Sequence, residues 1–226
     1  MNLIACITCY DGDVDLLQRS LSYLDNQEEK PDCIVCCVSG SEEAHAKCIN
    51  ELEKHSYDNF DAVFYSPERK KPGGARNMLI DNVSDYHIDD VVVFCDVDDL
   101  IHPAKFKVVR QIFSECSYVD ACIHDYQSVP RNVVPSEVVW DKVEHGSQYS
   151  VGLVTEHEEG SFSNVKSPLN KPIAHGHMSC KLSVLEIHRY DETMSLGEDG
   201  MFCRSIVDDP RFNLYHLDLE LIAYLS

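Results

Sequence analysis

Two hydrophobic periods alternate along the first hundred residues. Short apolar runs at residues 2–9, 33–38, 61–65 and 90–95 read as strands. The last of these, DVVVFC, sets three valines and a phenylalanine in a row with no polar face, the pattern of a strand covered on both sides. Between the runs the spacing turns helical. Val14, Leu17, Leu21 and Leu24 share one face over residues 14–25, and a second helical stretch runs from Ser41 to about Lys54. A loop punctuated by Pro67, Pro72, Gly73 and Gly74 precedes a third, predicted from Ala75 to Val83. Strands alternating with helices at this spacing predict βαβ units and a mostly parallel sheet, an α/β fold. Such sheets bind ligands at the carboxyl ends of their strands. That rule singles out residues 8–11, 39–41, 65–76 and 96–99.

The second half is less regular. Residues 103–116 read as a helix with Pro103 in its first turn, 118–123 as a strand, 197–207 as a helix and 212–224 as a strand. Residues 127–172, with Pro130, Pro135, Pro168 and Pro172, read as short strands and a long loop, a length that in a compact domain is usually functional. A chain of 226 residues suits one domain, with residues 1–100 and 101–226 as its two halves.

Charge and cysteine content narrow the chemistry. The chain carries 19 basic and 39 acidic residues, a formal charge of -20, which argues against nucleic acid or an anionic membrane as the main partner. An anionic substrate would need a local basic island or a metal ion. The start, MNLIACITCYDGD, lacks the basic region of a signal peptide, and no window approaches the ~20 apolar residues of a membrane span, so a cytoplasmic location is expected. Eleven cysteines include two Cys-x-x-Cys pairs, Cys6/Cys9 and Cys33/Cys36. Both lie inside strand-like runs, where residues three apart point to opposite faces and cannot grip one ion, so they read as small core hydrophobes.

Three segments carry chemistry. In VVVFCDVDDLIHP a buried strand ends in Asp96, Asp98 and Asp99, and clustered carboxylates want a cation. Oxygen ligands suit magnesium or manganese, completed by phosphates and water. Residues 69–77, RKKPGGARN, are the densest basic patch, with Arg69, Lys70, Lys71 and Arg76; a helix starting just after the glycines would aim its amides at an anion. In SLGEDGMFCRSI, Glu198 and Asp199 precede an apolar helical run, either as acids that suit a helix N-terminus or as a general base for an acceptor hydroxyl.

In this order, ITCYD, GGARN, DVD followed by Asp99, and GEDG resemble the motifs of GT-A fold glycosyltransferases of the family-2 type, over most of the chain. The resemblance implies a nucleotide-sugar donor, with a UDP-sugar favoured, a glycan or other hydroxyl acceptor, and Mn2+ or Mg2+ as cofactor. Its donor-binding set is Thr8, Tyr10, Asp11, Ser39, Lys71, Arg76, Asp96 and Val97. It implies Asp98 as the firmer metal ligand, Asp96 for ribose or metal, Asp199 as catalytic base with Glu198 near the acceptor, and inversion at the anomeric carbon. Two departures stand out. The second strand ends in VSGSEE, with Ser39 where the family commonly has an acid. The Arg-Trp motif of processive synthases is missing, which favours addition of a single sugar. His216 is a candidate third metal ligand, and His175 and His177 are further candidates. Two rival readings remain: a haloacid-dehalogenase-like phosphatase with Asp96 as nucleophile, and a GT-A domain that binds nucleotide-sugar without catalysis.

Overall fold

The structure is a computed structural model that describes residues 1–54, 60–83, 85–143, 150–157 and 164–225. The first half alternates strand and helix as its periodicity predicts: β1 (Leu3–Tyr10), α1 (Leu17–Asp25), β2 (Cys33–Ser39), α2 (Glu42–Lys54), β3 (Phe60–Ser66), α3 (Pro72–Asn82) and β4 (Val91–Asp96). Strands β3, β2, β1 and β4 lie side by side and parallel. The second half adds β5 (Leu100–Ile101), α4 (Lys105–Glu115), β6 (Ala121–Val129), β7 (Val151–Leu153), β8 (Ser179–Lys181), α5 (Leu182–Leu185), α6 (Glu198–Val207) and β9 (Leu214–Leu225). The described residues thus build one mixed sheet in the order β3-β2-β1-β4-β8-β6-β9-β5, with β7 paired to β9.

Helices cover both faces. On one side α1, α2 and α4 bury Leu17, Leu21, Cys48, Phe106, Val109 and Phe113 against Leu3, Ala5, Ile7, Val91 and Val93. On the other, α3, α5 and α6 bury Leu79, Ile80, Val184, Phe202 and Ile206 against Ile4, Cys6, Val92 and Phe94. Alternate residues of β1 and β4 therefore feed opposite cores, which is why both runs are apolar throughout. The same alternation separates the cysteine pairs. Cys6 and Cys33 lie in one core, Cys9 and Cys36 in the other.

Where the structure departs from the periodicity, the reasons are local. Helix α3 begins at Pro72, one turn before Ala75, because proline at the first helical position needs no N–H partner and sets a helical φ. Gly73 and Gly74 are buried within that turn and do not break it. The strand expected at 118–123 is β6, displaced to Ala121–Val129. The long loop expected at 127–172 is shortened at its start by β6 and interrupted by a 3-10 turn at Pro135–Glu137, by β7, and by a bridge between His157 and Val165. Residues 144–149 and 158–163 of that expectation lie outside the described residues. Strand β8 was not anticipated: only three residues long, it inserts antiparallel between β4 and β6. It carries the preceding segment, His175–His177, across the carboxyl end of β4, where Phe94 donates its N–H to the Met178 carbonyl.

Candidate active site

Register places the site at the carboxyl edge of the parallel strands. Thr8 of β1 lies opposite Asp96 of β4, Tyr10 opposite Ser39 of β2, and Ser39 opposite Ser66 of β3. Thr8 Oγ1 donates to Asp96 Oδ1 at 2.9 Å. Asp11 Oδ1 accepts from Ser41 N at 2.7 Å and from Ser41 Oγ at 3.2 Å, bridging the ends of β1 and β2. Gly40 makes that bridge possible. It sits at φ +133, and a Cβ there would lie 2.1 Å from Asp11 Oδ1. Ser39 is fully buried and its hydroxyl has no hydrogen-bond partner. Tyr10 is half-buried beneath the Arg69 guanidinium, 5.5 Å from the ring centre. Both line a cavity of about 340 Å³ with Lys70, Lys71, Pro72 and Ser195, a volume suited to a small-molecule ligand.

Arg76 joins the two ends of the site. It is 3% exposed. Its Nη1 donates to Glu198 Oε1 at 2.9 Å, and its Nη2 to Asp96 Oδ1 and Oδ2 at 3.1 and 3.0 Å. Its guanidinium lies 5.4 Å from the Tyr190 ring centre, and Tyr190 in turn stacks on Phe202. Burial opposes the Arg76 charge, but Asp96 foremost holds its pKa above the ordinary value. Burial likewise works against ionised Asp96, yet Arg76, with His177 and Thr8, keeps its carboxyl below the usual range. The structure therefore places Arg76 between the carboxylates of two motifs. Lys71, also expected at the donor, reaches the Thr193 carbonyl at 2.5 Å, and Asn77 Nδ2 bonds the Tyr190 carbonyl and Glu192 Oε1, both at 2.9 Å. These two residues latch segment 190–193 onto α3.

Glu198 and Asp199 open α6, whose N-cap Gly197 has φ 80. Asp199 Oδ1 accepts from Gly200 N at 2.7 Å. Its Oδ2 faces Gly176: a Cβ on Gly176 would lie 3.5 Å from it, 3.2 Å from Asp96 Oδ2 and 3.1 Å from Arg76 Nη2. Gly176 is thus the floor on which the Asp96, Arg76 and Asp199 groups converge.

The Asp96-Val97-Asp98-Asp99 turn divides its residues. Val97 is in the core, so only its backbone is available to a donor. Asp98 is exposed, and its carbonyl accepts from Arg19 Nη2 at 2.7 Å. Asp99 is 4% exposed. Its Oδ2 lies 2.8 Å from His177 Nε2, and His177 Nδ1 lies 3.2 Å from Lys105 Nζ. Partial desolvation by the surrounding protein, then Asp99 and Asp96, push the Asp98 carboxyl up to about 6 although the residue reaches solvent; burial and Asp96 push Asp99 up to about 8. Crowded carboxylates on one turn fit a divalent cation, and Asp96, Asp99 and His177 offer ligand atoms within 4.8 Å of one another, a grouping that could hold one. His216 lies elsewhere. Its Nε2 pairs with Asp125 Oδ1 at 2.7 Å and its Nδ1 with Ser167 Oγ at 2.9 Å, so both ring nitrogens are taken. The sequence reading left Asp99 unassigned and missed Lys105 altogether. Lys105 falls on the buried phase of α4 with Val108, Val109 and Ile112, three, four and seven residues on, and that phase is the signal that could have flagged it.

Comparison with known proteins agrees with this fold. The model of the glycosyl transferase family 2 matches residues 4–181. The chain belongs to that family. Its sheet is the GT-A sheet of its structural neighbours. S. aureus TarS 1-349 in complex with UDP superposes with a TM-score of 0.67 at 15% identity, covering 100% of this chain and 61% of that one. The same protein in complex with UDP-GlcNAc gives 0.68 at 15% identity, over 100% and 59%. The mannosyltransferase PcManGT from Pyrobaculum calidifontis, in complex with GDP-Man and Mn2+, gives 0.62 at 13% identity, over 98% and 56%. The chain thus spans about three fifths of the length of these structures. No curated protein matches it. No helix among the described residues is long and apolar enough to cross a membrane.

Two predictions follow from the charge arrangement. Arg76→Met strands Asp96 and buried Glu198 without their cation, and denaturant unfolding should show a loss of about 3–5 kcal/mol. A second change, Glu198→Met, should recover part of that loss; an Arg76→Met protein as stable as the parent would refute the pairing. The second concerns pH. An unfolded carboxyl ionises near ~4, whereas folded Asp99 keeps its proton to about 8. The folded state then binds more protons, so stability falls as pH rises through that window. Buried His102, His124 and His177 have lowered pKa values and act oppositely only below about 6.5. Metal-free protein should therefore lose more stability between pH 7 and about 8 than Asp99→Asn, which shares the raised buried cysteines and lowered Lys105 but not this proton, and Mn2+ should reduce the difference; equal slopes contradict it.

Proposed function

We propose that the chain transfers a single sugar from a nucleoside-diphosphate sugar, with a UDP-sugar favoured, to a hydroxyl acceptor with inversion. The observation that carries this reading is the Asp96–Arg76–Glu198 ladder. It sets the β4 aspartate turn and the α6 carboxylates around Gly176, beside the cavity at Tyr10. Neighbours of the same fold are in complex with UDP, UDP-GlcNAc and GDP-Man, which supports a nucleotide-sugar donor. Residues 1–226 act as one GT-A unit in this reading, the first hundred binding donor and the rest binding acceptor.

Each group has a role that its surroundings support. The nucleotide lies at Thr8, Tyr10, Asp11 and Ser39, with Arg69 and Lys70 near the phosphates. Asp98, exposed on its turn, and Asp96 would hold Mn2+ or Mg2+, a choice supported by the Mn2+ in the PcManGT complex. When bound, the ion neutralises charge on the departing diphosphate. Asp199 Oδ2 takes the proton of the acceptor hydroxyl as that oxygen attacks the anomeric carbon from the face opposite the diphosphate. Asp199 Oδ1 is steadied by the Gly200 N–H, and Glu198 acts by orienting Arg76. The match to the glycosyl transferase family 2 over residues 4–181 disfavours the phosphatase reading, in which Asp96 would be a nucleophile.

Release of UDP from UDP-sugars, with Mn2+ present, tests this reading. Asp199→Asn should lower kcat by about 10²-fold or more while leaving donor affinity near the parent's. Asp98→Ala should lose the Mn2+ dependence and weaken the donor. An Asp199→Asn enzyme at the parent rate would end the case for a base at that position.

A further inference from the structure

The mechanism above leaves the buried Lys105 unused. Lys105, in the first turn of α4, is 0% exposed, and its ammonium lies 3.2 Å from His177 Nδ1. Burying an ammonium is costly unless it is paired or hydrogen-bonded. Two acids lie beyond the imidazole, with Asp96 the one that Arg76 holds ionised: Asp99 Oδ2 is 2.8 Å and Asp96 Oδ2 3.9 Å from His177 Nε2. His177 is itself 0% exposed, so Lys105, His177 and Asp99 form a line from the core to the metal turn.

The polarity of that line follows from donor inventory. An ammonium has three N–H groups and no lone pair, so facing it His177 Nδ1 must accept. A neutral imidazole then carries its only proton on Nε2, and Nε2 donates to Asp99. A nitrogen bearing a proton has no lone pair for a metal. The usual metal-bound histidine shows the reverse arrangement, with its second nitrogen donating to a carboxylate or carbonyl. We infer that Lys105 is a positioning residue that fixes His177 as an N–H donor to Asp99, so that His177 orients the aspartate turn from behind and is not a metal ligand. Close as His177 lies to the two aspartates, it braces the turn while the cation falls to the carboxylates, with Asp98 the exposed one. Nearby His124, whose ring centre is 6.4 Å from that of His177, has a buried Nε2 without a hydrogen-bond partner and does not compete for either nitrogen of His177.

Nitrogen-15 NMR of histidine-labelled, metal-free protein tests this without depending on the proposed reaction. His177, assigned in the parent through correlations of its ring to its own backbone, should give the spectrum of a neutral imidazole protonated at Nε2. Lys105→Met should remove that preference, giving a mixture or the Nδ1-protonated form. If His177 in the parent is protonated at Nδ1, the inference is wrong, and this holds whether or not the variant folds. The second arm, which rests on the metal reading above, adds Mn2+ and looks for nitrogen hyperfine coupling. No coupling assignable to His177 is expected. A directly bonded nitrogen signal that vanishes in His177→Gln would overturn the inference while leaving the glycosyl-transfer reading intact.

Discussion

A guanidinium buried between carboxylates from two distant segments is the constraint on which the rest of the site depends. Arg76 comes from α3, Asp96 from the end of β4 and Glu198 from the start of α6. Removing all three from water is expensive, and only their mutual pairing offsets it. The pairing therefore fixes how closely these segments approach. It explains why Gly176 is a glycine, since a methyl there would press on Arg76 and Asp96. It explains the aromatic wall of Tyr190 and Phe202, which covers one face of the guanidinium. It also brings Asp199, one residue beyond Glu198, to the edge of the aspartate turn. A buried bridge of this kind is weak evidence for net stability but a strong means of setting geometry. Catalytic groups need that more than they need extra stability.

The aspartate turn concentrates the chain's acidity at one point. Three cationic groups oppose it from the protein side: Arg76 beside Asp96, Arg19 on the Asp98 carbonyl, and Lys105 behind His177. Burial first, and the neighbouring carboxylates after it, still hold the pKa values of Asp98 and Asp99 raised. A divalent cation would offset both the burial and the repulsion of these carboxylates. The acidic balance of the whole chain sharpens the point, since an anionic donor would otherwise meet a repulsive surface. The basic residues at the cavity, Arg69 and Lys70, are the local exception.

Strands β1, β2 and β4 were legible in the sequence because both of their faces are buried, so apolar character alone marks them. The aspartate turn and the Glu198-Asp199 pair were legible because charge appears abruptly beside apolar runs. Long-range pairing was not. Nothing local indicates that Arg76 meets carboxylates 20 and 122 residues away, or that Lys71 meets a carbonyl 122 residues away, so both basic residues read as donor contacts. His216 read as a metal candidate because a late histidine carries no sign of its partners; Asp125 and Ser167 emerge only from the pairing of β6 with β9 and the segment folded over it. Strand β8 was hidden because three residues give too short a pattern for periodicity to register.

The central claim is that this carboxylate edge binds a nucleotide-sugar with the help of a divalent cation. Thermal unfolding in the presence of UDP-, GDP-, CMP- and dTDP-sugars, with and without Mn2+, tests it directly. A ligand that binds only the folded state raises Tm by mass action. The account predicts a rise with one class of donor, UDP-sugars foremost, that depends on Mn2+ and is lost in Asp98→Ala. No shift with any donor, or a shift indifferent to both Mn2+ and Asp98, would contradict it.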